Sequence, residues 1–184
     1  MIIAYHAIFT TYGTWLPNDP RGSYSTEIYN QELKALGEIQ YGRQDPQPGR
    51  GPLRRFWAAA APRLSRKPYF INDRTRPIVA AGFTEAAARL GLTVNECSIL
   101  NDHVHVLVRR SGHRIEYIVN QFKGAATRAL GLNRTPWARG GWKVFLDSEQ
   151  ALLAAAAYIR ANPPAAGLPP QDWPFVTPLP RLSV

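Results

Sequence analysis

The chain has 184 residues, a formal net charge of +9 and a single cysteine, Cys97. One cysteine excludes an intramolecular disulfide and a cysteine-based zinc cluster, and it suits a reducing cytoplasm. Apolar content of 45% excludes wholesale disorder, and no stretch reaches the length of a membrane span. The opening MIIAYHAIF has no basic leader and no small-residue cleavage site, so no signal peptide is expected. The length fits one domain, residues 1–184, that buries its core without staples. Arginine supplies most of the positive charge, and its planar fork suits phosphate, so a polyanionic partner is favoured.

In chain order, residues 2–11 read as a strand rich in β-branched and aromatic side chains. YGTWLPNDPRGS is turn chemistry, and a short helix is expected around Glu27–Gly37. Residues 42–55 hold three prolines, three glycines and four arginines, which predicts a mobile basic loop at about 42–56. From Thr75 to Leu90 the apolar spacing predicts a helix, with Gly91 as its cap. LTVNECSIL and HVHVLVRR read as two strands joined by a tight turn at Asn101-Asp102, hence antiparallel. Arg114–Leu130 is an amphipathic helix, 134–141 a loop, and Trp142–Leu146 a short strand. A last helix is expected over Ser148–Asn162, with Asp147 as N-cap and Gln150 as its capping-box partner. Pro163 and Pro164 should end it. Beyond about 165 the tail is proline-rich and, with Trp173 and Phe175, is expected to pack as an extended strap. This order predicts an α+β fold, an antiparallel sheet with helices mainly on one face.

Two constellations carry chemistry. In His103-Val104-His105 the side chains alternate, so both imidazoles leave the same strand face while Val104 and Val106 enter the core. Two such imidazoles can converge on one divalent ion that needs a further ligand; the plain alternative is a solvated polar strand face. In Tyr158-Ile159-x-x-Asn162-Pro163 the tyrosine and asparagine are i and i+4, one turn apart on one helix face. The Asn162 amide can cap the helix or ligate a metal through its oxygen, and taken alone Tyr158 reads as a buried tyrosine on an apolar helix. Together the two sets hold the parts for attack of a phenol oxygen on phosphorus beside a metal ion.

HVHVLV on a strand, a following helix containing FKG, a W-x-x-x-F segment and then YIxxNP with AAGL resemble the single-tyrosine HUH transposases. The REP-associated tyrosine transposases are the nearest branch, and TTYGTWLPNDPRGS resembles the start of many such chains. The resemblance runs from about residue 5 to near Trp173. It implies a ferredoxin-like (RRM-like) fold, Mg²⁺ or Mn²⁺, and cleavage and rejoining of single-stranded or hairpin DNA through a 5′-phosphotyrosine. It carries the histidine pair onto His103 and His105, the third ligand onto Asn162 and the nucleophile onto Tyr158. Asn162-Pro163-Pro164 departs from the NPV or NPH often found there, at the helix exit. It further implies a cytoplasmic, nucleoid-associated prokaryotic protein acting as a monomer or homodimer. A domesticated relative that holds hairpin DNA without cutting is the alternative.

Other residues stay open at this stage. Lys123 either contacts the scissile phosphate or nucleophile, or is solvated. Tyr117 is a rival nucleophile whose i+4 partner is Gln121, and Asp102 reads as a turn residue. Arg54, Arg55, Arg109, Arg110 and Arg114 are candidate phosphate contacts. Trp15 either stacks on an unpaired base or belongs to the core.

Overall fold

The computed structural model describes residues 1–179. The chain divides into two compact units, one made of Met1–Thr10 with Ile71–Val184 and the other of Thr11–Phe70. The first unit holds β1 (Ala4–Thr10), α2 (Arg76–Leu90), β2 (Val94–Ile99), β3 (His103–Arg109), α3 (Ile115–Ala129), β4 (Trp142–Leu146) and α4 (Glu149–Ala165), while α1 (Arg50–Ala60) belongs to the second. The strand order is β2-β3-β1-β4 with every pairing antiparallel, which is the ferredoxin-like arrangement expected from the sequence.

Alternation along β1 and β3 sorts the two faces of this sheet. Phe9 packs edge-on against Phe83 of α2 and Trp137, and Phe83 meets Phe122 of α3, so Tyr5, Ala7, Phe9, Val104, Val106 and Val108 face α2 and α3. The opposite face presents Ala4 and Leu107, which form a second buried cluster with Leu146 and with Leu152, Ala156 and Ile159 of α4. α4 therefore covers the face that α2 and α3 leave open. This explains why all six residues of β2 are buried.

The outer edge of β2 is covered as well. Thr177 N–H donates to Val94 O, Asn95 Nδ2 donates to Thr177 O, and Gln171 bonds both the N–H and the carbonyl of Ile99. An exposed strand edge is a template for unwanted pairing, and this tail satisfies its backbone groups.

Three local expectations need correction. The last helix does not stop at Asn162: it continues to Ala165 with Pro163 and Pro164 inside. Each proline withholds an N–H from a carbonyl one turn back, and the helix continues without those two bonds. Ala166 N–H donates to Asn162 O, Leu168 N–H to Pro163 O and Gly167 N–H to Pro164 O, and Gly167 leaves the helix at φ 73°. The N-cap is Ser148, not Asp147; the Ser148 hydroxyl accepts from Ala151 N–H, which leaves Gln150 outside any capping box. The basic loop of about 42–56 is shorter than expected, because residues from Arg50 onward are helical.

That helix, α1, belongs to the second unit. Pro52 sits in its first turn, where a missing N–H costs nothing, and LRRFWAAA then propagates well. Phe56 and Trp57 pack against a small core of Leu16, Leu33 and Ala60. The helix expected around Glu27–Gly37 is a 3-10 segment over Gln31–Leu36, capped by the Asn30 side chain. The YGTWLPNDPRGS stretch is held by its own side chains: buried Asp19 takes Arg21 with both oxygens, at 2.9 and 2.7 Å. Arg21 in turn lies 3.9 Å over the Trp15 ring, and Trp15 Nε1 donates to Gly22 O.

α2 lies close against α3. A Cβ on Gly82 would stand 2.7 Å from both Cα and N of Ala126. Backbone, unlike a flexible side chain, cannot step aside there, so the helices would have to separate. Gly82→Ala is expected to cost about 1–3 kcal/mol, in the range of core overpacking. Chemical denaturation checks this, and an unchanged midpoint would contradict the close approach.

Candidate active site

The site forms on the α4 face of the sheet. β3 begins at His103 and runs antiparallel to β1, with His103 opposite Thr10, His105 opposite Ile8 and Leu107 opposite His6. The period of two sends His6, His103 and His105 to the same side. Nε2 of His103 and Nε2 of His105 are 3.0 Å apart, so the HVH pair converges. Two further contacts lengthen the row: His103 Nδ1 lies 2.6 Å from Asp102 Oδ1, and His105 Nδ1 lies 2.9 Å from His6 Nε2. The result is a chain of polar groups, Asp102–His103–His105–His6.

α4 delivers the tyrosine to this row. Its Leu152, Ala156 and Ile159 are buried against the sheet, and that fixes its rotation. Arg160 adds a second anchor, pairing through Nε at 2.9 Å and a terminal nitrogen at 2.6 Å with buried Glu96 of β2. Tyr158, between these anchors in sequence, lies with its ring centroid 5.6 Å from that of His105 and 6.1 Å from that of His6. It is nonetheless 57% exposed, so the ring is positioned without being enclosed. Asn162, one turn further, donates from Nδ2 to the Tyr158 carbonyl at 2.8 Å.

Burial sets the charge state of His6 and His105. It pushes His6 down from 6.5 to about 4. His105 falls to about 2, through burial first and then the neighbouring His103 and His6. Both rings are therefore neutral at physiological pH, the form in which imidazole offers a lone pair to a metal. The donor set fits a divalent ion. Two ligand atoms at right angles, each about 2.1 Å from one ion, stand about 3 Å apart, and the two Nε2 atoms are separated by 3.0 Å. Asp102 on the far nitrogen of His103 is the usual outer partner of a metal-binding histidine. Among the described residues no group of three or more His, Cys, Asp or Glu forms a metal cage, so a third protein donor would have to be another residue type, such as an amide.

Several sequence candidates lie elsewhere. Lys123 is neither solvated nor near the histidines. Its ammonium donates to the carbonyls of Ala138 and Gly140 at 2.9 and 2.5 Å and stands 5.4 Å over the Phe9 ring, on the α2–α3 face of the sheet. Burial lowers its pKa to about 8. Its place is that of a clamp on the 138–140 loop, and the catalytic expectation is corrected accordingly. Tyr117 is on α3, stacked near His113 and across the sheet from the HVH pair. Arg109 is engaged by Glu149 and Asn95, whereas Arg110 and Arg114 are exposed. Arg54 and Arg55 are exposed on α1, a helix with no acidic residue. One face of Trp15 is occupied by Arg21. Sequence reading missed His6, Glu96 and the role of Asp102. A histidine in the apolar run AYHAIF was the only signal for His6.

Comparison with known proteins bears on the fold and on the middle of the chain. Residues 62–148 match the family model described as "Transposase IS200 like", a span that includes the β2–β3 hairpin and both histidines. Over that span, a little under half of the chain, the sequence is similar to the IS200-like transposases. A solved structure described as the REP-associated tyrosine transposase bound to a REP hairpin superposes with TM-score 0.52 at 13% identity, over 94% of this chain and 74% of that one. At that identity the likeness speaks for the fold. A Deinococcus radiodurans R1 structure carrying a provisional transposase name aligns at 16% identity over 88% of this chain and 91% of its own, with TM-score 0.41, too loose to bear on the fold. No curated protein matches the chain.

The buried neutral histidines make stability depend on pH. The unfolded chain titrates His6 near 6.5 and the folded one near 4, so the unfolded state binds more protons between those values. Stability is then full above about pH 6.5 and falls as pH drops through that window toward 4. Linkage gives a loss of about 2 kcal/mol from His6 alone between pH 7 and 5. Urea denaturation of the chelator-treated protein at the two pH values checks this. His6→Gln should flatten the dependence, and an equal slope in both proteins would contradict the assignment.

Proposed function

We propose that this chain cuts single-stranded DNA beside a hairpin and rejoins it, with Tyr158 as the nucleophile and His103, His105 and Asn162 as ligands of Mg²⁺ or Mn²⁺. The observation that carries the reading is the Tyr158 ring, half exposed, 5.6 Å from His105 of the same chain. The family model and the solved relative described with a REP hairpin support the substrate class.

The chemistry follows from the residues. The Tyr158 phenol loses its proton and its oxygen attacks the scissile phosphorus, as the bond from phosphorus to the 3′ oxygen breaks. One strand end keeps a 5′ phosphate ester on Tyr158, and the other leaves as a 3′ hydroxyl after taking up a proton. Bond energy is conserved in the tyrosine ester, so a 3′ hydroxyl can later reverse the step. The ion, when bound, acts as a Lewis acid on the phosphodiester. His103 and His105 would hold it through ring nitrogens. Asn162 spends its Nδ2 on the Tyr158 carbonyl, which leaves ligation to its oxygen, a harder donor suited to Mg²⁺. Because ligand and nucleophile share α4, filling the site also fixes the phenol.

Phosphate binding falls to exposed cations. Arg110 and Arg114 serve the first unit and Arg54 and Arg55 the second, within a net charge of +9. Nothing in the tyrosine's position requires a second copy, so a monomer suffices for cleavage. No helix among the described residues is long and apolar enough to cross a membrane, and the expected workplace is the cytoplasm, at the nucleoid.

Incubation with a labelled hairpin oligonucleotide and Mn²⁺ tests the reading. Tyr158→Phe should abolish the covalent adduct while leaving the gel shift intact, and Tyr117→Phe should stay within a few-fold of the parent chain. Asn162→Ala should reduce cleavage by about 10-fold or more, the usual scale for loss of metal-site support. A gel shift with no adduct from the parent chain would replace this reading with hairpin binding alone. An adduct that survives Tyr158→Phe would overturn the nucleophile.

A further inference from the structure

We infer that His6 is a positioning residue that exchanges hydrogen-bond donor for acceptor as His105 takes up a metal ion, so that the histidine row stays satisfied in both conditions. The inference rests on the metal site proposed above and adds a residue to it.

The argument is an accounting of protons along four groups. Asp102 carries no proton when ionised, so His103 must donate from Nδ1 across the 2.6 Å contact. A neutral His103 then has a bare lone pair on Nε2. The 3.0 Å contact from His103 Nε2 to His105 Nε2 is a hydrogen bond only if His105 carries its proton on Nε2. In that tautomer His105 Nδ1 is bare, and the 2.9 Å contact requires His6 to donate from Nε2. The row then runs in one direction, His6 to His105 to His103 to Asp102, with every contact made.

Metal ligation demands the other arrangement. Both Nε2 lone pairs must face the ion, so the His105 proton must sit on Nδ1. His105 then donates to His6, and His6 must accept on Nε2 and carry its own proton on Nδ1. Each ring holds one proton before and after: His103 still donates to Asp102, the His103–His105 contact gives way to the ion, and only the His6–His105 hydrogen bond reverses, with no net proton gained or lost. A lysine at position 6 could only donate and a carboxylate could only accept. A neutral imidazole does either, and a buried position such as this one, 6% exposed, leaves no water to substitute for it readily.

The test combines a tautomer measurement with substitutions. In ¹⁵N NMR of the whole chain without DNA, Mg²⁺ titration should move the proton of His105 from Nε2 to Nδ1 and that of His6 from Nε2 to Nδ1 together. His6→Phe removes both capacities and should weaken Mn²⁺ binding, read by electron paramagnetic resonance, by about 10–100-fold, as loss of an outer partner does. His6→Gln should restore affinity to within a few-fold, since an amide can turn to present either its oxygen or its nitrogen. His103 and His105 signals that respond to Mg²⁺ while His6 keeps one tautomer would overturn the inference alone. Signals of both ligands indifferent to saturating Mg²⁺ would overturn the metal site beneath it. Should His6→Phe fail to fold, the parent chain's tautomers and His6→Gln still decide. His6→Gln binding Mn²⁺ as weakly as a ligand-deleted His105→Ala chain counts against the inference.

Discussion

The site depends on one packing event, the burial of α4 on the sheet face opposite α2 and α3. Leu152, Ala156 and Ile159 cover Ala4, Leu107 and Leu146 there. Two fully buried large side chains among them, Leu152 and Ile159, contribute on the order of 1.5–3 kcal/mol each from burial. That contact sets the rotation of α4, and the rotation sets where Tyr158 stands. The Arg160–Glu96 pair fixes the helix from the next position, its carboxylate partner buried on β2. An apolar stripe thus does more than stabilise: it converts the helix period into a fixed distance between a phenol and two imidazoles.

The same burial shapes the electrostatics. Covering the sheet face takes His6 and His105 out of water and holds both neutral. Neutral rings suit a metal but leave a polar row in an apolar setting, where each contact must be made. Asp102 closes the row at one end and His6 at the other. On the far side of the sheet Lys123 meets a comparable demand by donating to two loop carbonyls. Buried polar groups on the two faces therefore serve different ends, one the proposed reaction site and the other a loop.

The fold was legible where period and punctuation agreed. HVHVLVRR after a two-residue turn announced a hairpin, Ile115 to Ala129 carried a clean apolar stripe, and Gly91 marked the end of α2. The convergence of His103 and His105 followed from strand alternation alone. What stayed hidden required knowledge of which elements share a face. Nothing local in AYHAIF says that β1 lies beside β3 with His6 near His105. Lys123 looked available because its helix face could be read but the loop that claims it could not. The prolines at 163 and 164 misled because the helix runs on through both to Ala165, although each lacks the N–H that would bond a carbonyl one turn back. Arg50 to Phe56 was read as loop because the glycines and prolines there outweighed the alanine-rich run that follows.

The central claim is that one chain presents its own tyrosine to its own histidines. Mixing two inactive variants tests this directly. One carries Tyr158→Phe with the histidines intact, and the other carries His103→Ala and His105→Ala with the tyrosine intact. With a labelled hairpin oligonucleotide and Mn²⁺, the account predicts no covalent adduct from the equimolar mixture at any concentration where the parent chain forms one. An adduct in the mixture would mean that the tyrosine of one copy works on the histidines of another, and would contradict the arrangement described for α4.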